Sequence, residues 1–509
     1  MKKNKVIMLF VLVFIMLSAT ITACNTQLTT PPPSSSSSTS SEESSSANPP
    51  ARDPYVVKII MCDDAESEAV EAVAAAASKI TKEKFNTTIE LVRYGFSSFN
   101  DQRNLMLSSG EKLDLMPSLG LTVPNAANNG MVHPLNDLLE QYGKDMLEQI
   151  PQEDWECTSL NGIIYAVRNN KELGAGYGYA IPTEYVEALN MDLTKIKTDD
   201  DYETVLRKAK EKFPDLYPLV SDRGTMGWYI AYMDDLGGDF GVLEDCTTNN
   251  TTVVNWYSTD TYKDIVMCRY RWAQEGLLLP NGSTNSEGAT DLIKANKAFS
   301  CITNTKPGKE GEVERSTGKP MTIIELIRPY TKTNNLDNMW YVAHNSKEPG
   351  RAVEVLNEMY TNPDLANIFI YGVEGKHYIF KDKAKGTIYY PEGVSPANQA
   401  YNIDPWAWPN ELISYVWATD SPTLWSDTLE WNKNTISSIA KGFVWNNEKV
   451  LPQIAACNNV KAKYANALDC GDLNPEEAIP QFEKELKSAG IDDIIAEKQA
   501  QLDAWLAGK

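Results

Sequence analysis

Apolar positions in the first third of the chain alternate between two periods. YVVKIIM at 55–61 is a short β-branched run that predicts a buried strand, and ESEAVEAVAAAASKITKEKF follows with Val70, Val73, Ala77 and Ile80 on one helical face. TTIELVRY at 87–94 predicts a second strand, NDQRNLMLSSGE a second helix and KLDLMPSLG at 112–120 a third strand. Strands alternating with helices predict a parallel sheet covered on both faces, in which ligands collect beyond the carboxyl ends of the strands. Those ends are Cys62 to Asp64, Tyr94 to Phe99 and Ser118 to Gly120.

Further along, HPLNDLLEQYG at 133–143 predicts another helix, and NGIIYAVRNNKELGAGYGYAIP at 161–182 reads as an extended, glycine-punctuated passage suited to crossing between lobes. Helical patterning dominates from about 183 to 298, interrupted by the aromatic segment GTMGWYIAYMDDLGG at 224–238. Residues 340–372 predict one strand, a turn and one helix with Ala352, Val355, Leu356 and Met359 on a face. The charge run KEGEVERSTGK at 309–319 reads as a solvated loop. In DPWAWPNELI at 404–413, Pro405 and Pro409 predict a stiff extended loop, on which Trp406 and Trp408 would point the same way. NPEEAIPQFEKEL predicts a helix capped by Asn474, with Pro475 at its first position and acids in its first turn. No internal repeat is visible.

The N-terminal end has a different character. MKKNK precedes an unbroken apolar run from Val6 to Leu17, then small residues and Cys24, the pattern of a secretory signal too short for a stable membrane span. Ile21-Thr22-Ala23-Cys24 resembles the bacterial lipobox, which implies cleavage after residue 23, acylation of Cys24 by diacylglycerol or palmitate, and lipid anchoring on the outer face of the cell membrane. Residues 25–54, rich in Ser and Pro, cannot bury enough apolar surface to order and form a tether reaching roughly 30 Å.

Composition narrows the function. Loss of Lys2, Lys3 and Lys5 with the signal takes the formal charge from −22 to −25, which argues against nucleic acid and against docking on anionic lipid. Seven cysteines beyond Cys24 are too sparse for a disulfide scaffold, with Cys457 and Cys470 as one candidate bridge. There is no P-loop and no GxSxG elbow; GAGYGY at 174–179 lacks dinucleotide-binding spacing. His133, His344 and His377 are the only histidines and stand at no metal-ligand spacing. No metal, cofactor or catalytic residue is therefore expected.

These features converge on a family. The lipobox, the Ser/Pro tether, LMLSSGEKLDLM and YVAHNSKEPGRAVEVLNEMY resemble the extracellular solute-binding lipoproteins of carbohydrate ABC transporters, in their long Gram-positive branch. EGKHY, PEGVSP, PWAWPNEL and EKQAQLDAWL resemble phrases that recur there in this order. The resemblance covers residues 55–509 and implies a two-lobed α/β fold of the periplasmic-binding-protein type II class. The first lobe is expected to hold 55–175 and about 330–373, and the second about 176–329 and 374–509. It further implies an interlobe cleft that closes on a ligand, permease subunits as partners, a monomer, and no turnover.

Neutral sugars stack their C–H faces on aromatic rings and need planar polar groups for their hydroxyls. Candidate plates are Trp228, Tyr229, Tyr177, Trp406 and Trp408, with core packing as the competing reading of each. Candidate polar groups are Glu172, Tyr94, Ser118, Glu374 and His377; His377 is equally a hinge hydrogen-bonder, and Asp114 is expected to satisfy backbone donors instead. The ligand is expected to be an oligosaccharide. The rival readings are a surface-tethered glycoside hydrolase, which needs only two carboxylates, and a sugar sensor or adhesin.

Overall fold

Strand Tyr55–Cys62 pairs in parallel with Thr87–Tyr94, from Tyr55 opposite Thr87 to Cys62 opposite Tyr94. The pleat then divides its side chains between two cores. Val57, Ile59 and Met61 enter one with helices Ser67–Phe85, Pro349–Thr361 and Pro363–Tyr371; Ile60 and Cys62 enter another with Phe99, Met106 and Leu107 of helix Phe96–Ser109. This computed structural model describes residues 52–63, 65–227, 231–245, 247–331, 338–401 and 403–509, with backbone alone at 327–331. Cys24, Trp228 and Tyr229, and the strand-end residue Asp64, lie outside the described residues.

The first sheet runs in the order Thr87–Tyr94, Tyr55–Cys62, Leu115–Pro117, Met339–Val342, Ala166–Arg168. It is mixed and not wholly parallel, because Met339–Val342 is antiparallel to both of its neighbours. That strand enters after the chain has left for a second sheet, so no helical crossover on the first sheet fixes its direction. In the second sheet Ala175–Pro182 pairs antiparallel with Cys301–Thr305 and Met321–Thr331. Its Gly178 meets the opposite strand so closely that a Cβ there would fall 1.7 Å from the Ile324 carbonyl oxygen, which explains one glycine of GAGYGY without any nucleotide. Tyr177 and Tyr179 point into the core beneath this sheet, where Tyr179 stacks on Tyr202 at 3.6 Å.

The chain passes from the first sheet to the second between Arg168 and Ala175, returns between 331 and 339, and crosses again before Ile436–Ser437, which pairs with the second sheet. Two lobes are therefore joined by several crossings, as expected, but their membership differs from the expected boundaries. Tyr378, Ile388, Tyr390, Tyr401, Ile403, Trp408 and Trp417 belong to the first lobe's core, not the second's. They lie on or near a small sheet of Ile379–Asp382, Thr387–Tyr389 and Val416–Trp417 that packs against helix Pro363–Tyr371, with Tyr371 and Trp417 edge to face at 5.7 Å. Two further expectations are corrected. The single helix expected within 340–372 is two, because Pro363 begins a new one and Asn362 caps it through the Asp364 N–H. The charge run forms helix Lys309–Thr317, whose Val313 is buried, whose Glu312 pairs with Lys309 and Lys306, and whose Arg315 pairs with Asp420.

A third core gathers helices Leu451–Asp469, Pro475–Ala489 and Ile491–Ala507 around Leu236, Phe240, Trp256 and Tyr262. Asn474 caps the middle helix through the Glu476 N–H, as its sequence predicts. Cys457 and Cys470 are not bridged; each thiol donates to a different carbonyl, of Leu486 and Gly224. Among the described residues no helix is long and apolar enough to cross a membrane.

The stretch around the two tryptophans is not extended. Pro405–Ala407 forms one 3-10 turn, closed by the Trp408 N–H on the Pro405 carbonyl at 3.1 Å, so the two indoles diverge. Trp408 turns inward and is 3% exposed, with its ring stacked on Phe369 at 4.8 Å and on Trp340 at 5.5 Å. Trp408→Ala is expected to destabilise the protein by about 3–5 kcal/mol, the usual cost of truncating a buried aromatic. Denaturant unfolding measures it, and a loss under about 1 kcal/mol would contradict this packing.

Candidate functional site

The third strand ends at Pro117, and the chain turns through left-handed Leu119 and Gly120 before Thr122 caps helix Val123–Asn128. This turn forms one wall of a cavity of about 490 Å³, lined by Ser118, Gly120, Leu121, Thr122 and Asn125. The facing wall comes from the other lobe: Asp235, Gly237, Gly238, Asp239 and Phe240 of the 234–241 loop, with Trp445, Asn447, Ile454 and Asn458. The strand-end rule therefore finds the cleft through Ser118 to Gly120. Polar contacts join the walls: the Asn447 amide donates to Asn125 Oδ1 at 2.9 Å, the Asn128 amide to Asn446 Oδ1 at 3.0 Å, and Lys441 pairs with Glu153 at 2.9 Å.

Carboxylates and carboxamides beside Phe240 and Trp445 give this cavity acceptors, donors and aromatic faces together, the combination a polyhydroxyl ligand requires. Two of its polar atoms, Trp445 Nε1 and Asn447 Oδ1, are buried without a hydrogen-bond partner among the described residues. Ser118 itself is 1% exposed, and its hydroxyl accepts from the Met339 N–H at 3.1 Å.

Trp406, half-buried, borders two smaller cavities. One is lined by the strand-end residues Met61, Cys62, Phe96, Pro117 and Leu119; the other by Glu172, Lys306, Glu312, Arg315 and Glu411. The Asn169 amide holds the Trp406 carbonyl at 2.9 Å. Trp406 and Glu172, two of the predicted residues, thus meet beside the chain crossing. The crossing is tightly held, since the Asn170 N–H donates to the Pro409 carbonyl at 2.7 Å and the Glu411 N–H to the Asn170 carbonyl at 3.1 Å.

The charges here form a buried network. Glu172 pairs with Lys171 at 2.7 Å and Lys306 at 3.3 Å; Lys306 reaches Glu312 at 2.9 Å, and Glu312 reaches Lys309 at 2.5 Å. Burial opposes the Glu172 carboxylate, but Lys171 and Lys306 outweigh it and hold the group down to about 2. Glu411 has the opposite fate: burial first, then the neighbouring Glu172 charge, push it well above the carboxylate range, so it stays protonated. The Glu172 N–H donates to Glu411 Oε1 at 3.3 Å.

Five other predicted residues fall outside the main cavity. Tyr177 is a core residue whose hydroxyl donates to Asp199 at 3.3 Å, because its strand turns that face toward helix Asp199–Lys212. Trp408 is a core residue stacked on Phe369 and Trp340, and it reaches only the small strand-end cavity that Trp406 also lines. Glu374 is half-exposed and pairs with Lys383 at 3.3 Å, away from these cavities. His377 is neither at a crossing nor in the cavities: it sits within the first lobe, where its Nδ1 accepts from the Val373 N–H at 3.0 Å, its ring stacks on Tyr401 at 5.4 Å, and burial with Lys376 lowers it to about 4. Tyr94 is half-buried against the core around Phe99. Asp114, as expected, is structural, accepting from the Lys58 N–H at 2.8 Å and the Tyr55 hydroxyl at 2.7 Å. Sequence reasoning passed over Asp235, Asp239, Asn125, Trp445 and Asn447. The available signal was the pair of non-periodic polar stretches DDLGGDFG at 234–241 and WNN at 445–447, where acids, amides and aromatics cluster on irregular backbone.

The family described as bacterial extracellular solute-binding protein matches residues 64–365, and a domain family of unknown function, DUF3502, matches 439–507. A carbohydrate ABC transporter substrate-binding protein of Streptococcus pneumoniae is 24% identical over 475 residues, covering 90% of this chain and 92% of that one. The crystal structure of the N-glycan transport solute binding protein NgtS of S. pneumoniae with Man1GlcNAc superposes with a TM-score of 0.80 at 21% identity, covering 89% of this chain and all of that one. The S. pneumoniae ABC-transporter substrate binding protein FusA with kestose superposes at 0.64 and 17% identity, covering 89% and 100%.

The Glu172–Glu411 pair has a testable pH signature. The unfolded chain releases the Glu411 proton as pH rises through the usual carboxylate range while the native state keeps it, so native stability is lost over that range. Glu411→Gln mimics the protonated carboxyl and removes this loss. Its melting temperature is expected to exceed the parent's at pH 7.5 and to show no such gain at pH 4, by differential scanning calorimetry at both.

Proposed function

The chain belongs to the bacterial extracellular solute-binding protein family, and from that premise we propose that it captures an oligosaccharide in the interlobe cavity and delivers it to an ABC permease. The observation that carries this reading is the cavity of about 490 Å³ between the lobes, with Asp235, Asp239, Asn125 and Asn447 beside Phe240 and Trp445. Its size and mixed lining suit a chain of sugar units. The relatives support a carbohydrate: one is a carbohydrate transporter's binding protein, and NgtS has been crystallised with Man1GlcNAc and Man5GlcNAc. Ligand makes contacts with both walls only when they are together, so binding shifts the equilibrium toward the shut form.

In this reading the protein is a monomer carrying acylated Cys24, tethered by residues 25–54 at the outer face of the membrane, and permease subunits accept the sugar from it. It performs no turnover; a permease-associated ATPase supplies the energy. Trp406, half-buried between the strand ends and the charged network, is the plate proposed to extend the binding surface beyond the main cavity.

A thermal-melt screen of residues 51–509 against Man5GlcNAc, fructo-oligosaccharides, starch-derived and plant oligosaccharides tests the reading. A ligand at 1,000 times its dissociation constant stabilises the native state by about 4 kcal/mol. A melting shift with intact sugar recovered supports binding for transport. Shortened sugar would convert the reading to a hydrolase, and no shift across the panel would remove carbohydrates. Trp406→Ala is expected to cost about 1–3 kcal/mol of affinity for the sugar that shifts the melt, with the fold retained; unchanged affinity in titration calorimetry would take Trp406 out of the site.

A further inference from the structure

The C-terminal segment 439–507, matched by a family without assigned function, contains a fully buried lysine; burial lowers its amine to about 7, against the opposing charges of Asp235, Asp234 and Asp239. Lys498, on helix Ile491–Ala507, is 0% exposed. Its ammonium donates to three backbone carbonyls of one loop: Gly241 at 2.7 Å, Asp235 at 3.1 Å and Gly238 at 3.4 Å. It also lies 4.2 Å from the ring centroid of Trp445. In its charged form the amine has three protons, and here they meet three carbonyls. The remaining contact, with an aromatic ring, is one that suits a cation.

That loop needs holding. Its backbone is left-handed at Leu236, Gly237 and Gly241, and short local turns close it, with the Leu236 N–H on Asp234 Oδ1 and the Gly237 N–H on Asp235 Oδ1, each at 2.9 Å. The Asp235 carbonyl also accepts from the Gly238 N–H at 3.0 Å, so among the described residues it is the Gly238 and Gly241 carbonyls that depend on the Lys498 amine. The same loop presents Asp235, Gly237, Gly238, Asp239 and Phe240 to the interlobe cavity, and the ring under Lys498 belongs to Trp445, which lines that cavity too. Lys498 does not line the cavity; it touches what does.

We propose that segment 439–507 serves the ligand cleft directly, with Lys498 as a positioning residue that clamps the 235–241 loop and Trp445 into the one geometry that recognises ligand. The clamp makes the cavity wall a rigid surface, which reduces the ordering cost of binding. The inference rests on the cavity being the ligand site, but the clamp itself is measurable without ligand.

The test is Lys498→Met, which keeps the aliphatic stem and removes all three donors. Hydrogen–deuterium exchange of the unliganded protein is expected to rise at least tenfold at the 235–241 amides. Exchange in helices Leu451–Asp469 and Pro475–Ala489 should stay within twofold, with one cooperative melt. Unchanged loop exchange overturns the proposal, as does loss of protection spread evenly over 439–507, which would make Lys498 a packing residue. Affinity for Man5GlcNAc, measured by calorimetry where the parent binds it, is expected to fall at least tenfold. Unchanged affinity in a loosened loop would overturn the link to recognition while leaving the clamp. If the Met variant does not fold, Gly238→Ala replaces it. Its Cβ would stand 3.2 Å from Trp445 Cζ3 and 3.9 Å from Lys498 Nζ, pressing on the clamp from the loop side. The same exchange and affinity changes are expected there, and their absence overturns the proposal.

Discussion

The buried pairing of Glu172 with Lys306 is the constraint on which the arrangement of lobes depends. Glu172 lies in the short segment that carries the chain from the first sheet to the second, and Lys306 follows the second sheet's edge strand. Neither charge could be buried alone, so the crossing, the Pro405–Ser414 loop and helix Lys309–Thr317 must be brought together for either to be tolerated. Lys171, Lys309, Glu312 and the protonated Glu411 complete the shell. A hydrophobic plug could fill the same volume, but it would not fix which three segments meet. The network gives the junction one register, and the cleft inherits its geometry from that junction.

Much of the frame was legible because it follows from period. The β-branched run YVVKIIM, the helical face of Val70, Val73 and Ala77, and the Asn474-Pro475 helix start each report a local rule that the packed structure keeps. The strand-end rule likewise carried Ser118 and Gly120 to the cleft. What was not legible depends on partners distant in sequence. The charges of KEGEVERSTGK look like a solvated face until Lys306 and Glu172 are seen beside them. Met339–Val342 reads as one more strand, and its antiparallel direction comes from a detour through the other lobe. Tyr177 obeys the alternation of its strand, but sequence does not say which face of that strand meets a core.

The two tryptophans of PWAWP show the same limit at the scale of a single turn. Two prolines flank them, which restricts the backbone without deciding between an extended passage and a 3-10 turn. The turn sends one indole between Phe369 and Trp340 and leaves the other half-buried at the junction. A one-residue spacing thus separates a core plate from a candidate ligand plate. Recognition of a family phrase identifies the segment but not the division of labour within it.

The walls of the cleft are tied by amide-to-amide contacts, Asn447 to Asn125 and Asn128 to Asn446, and by Lys441 with Glu153. Such groups exchange one another for water at little net free energy. Because hydration of newly exposed polar surface lowers heat capacity while apolar surface raises it, parting these contacts carries a calorimetric sign opposite to that of unfolding. Val444 of the second lobe also packs on the first lobe's core, so opening combines both signs, and its heat-capacity change falls well below that of melting either lobe.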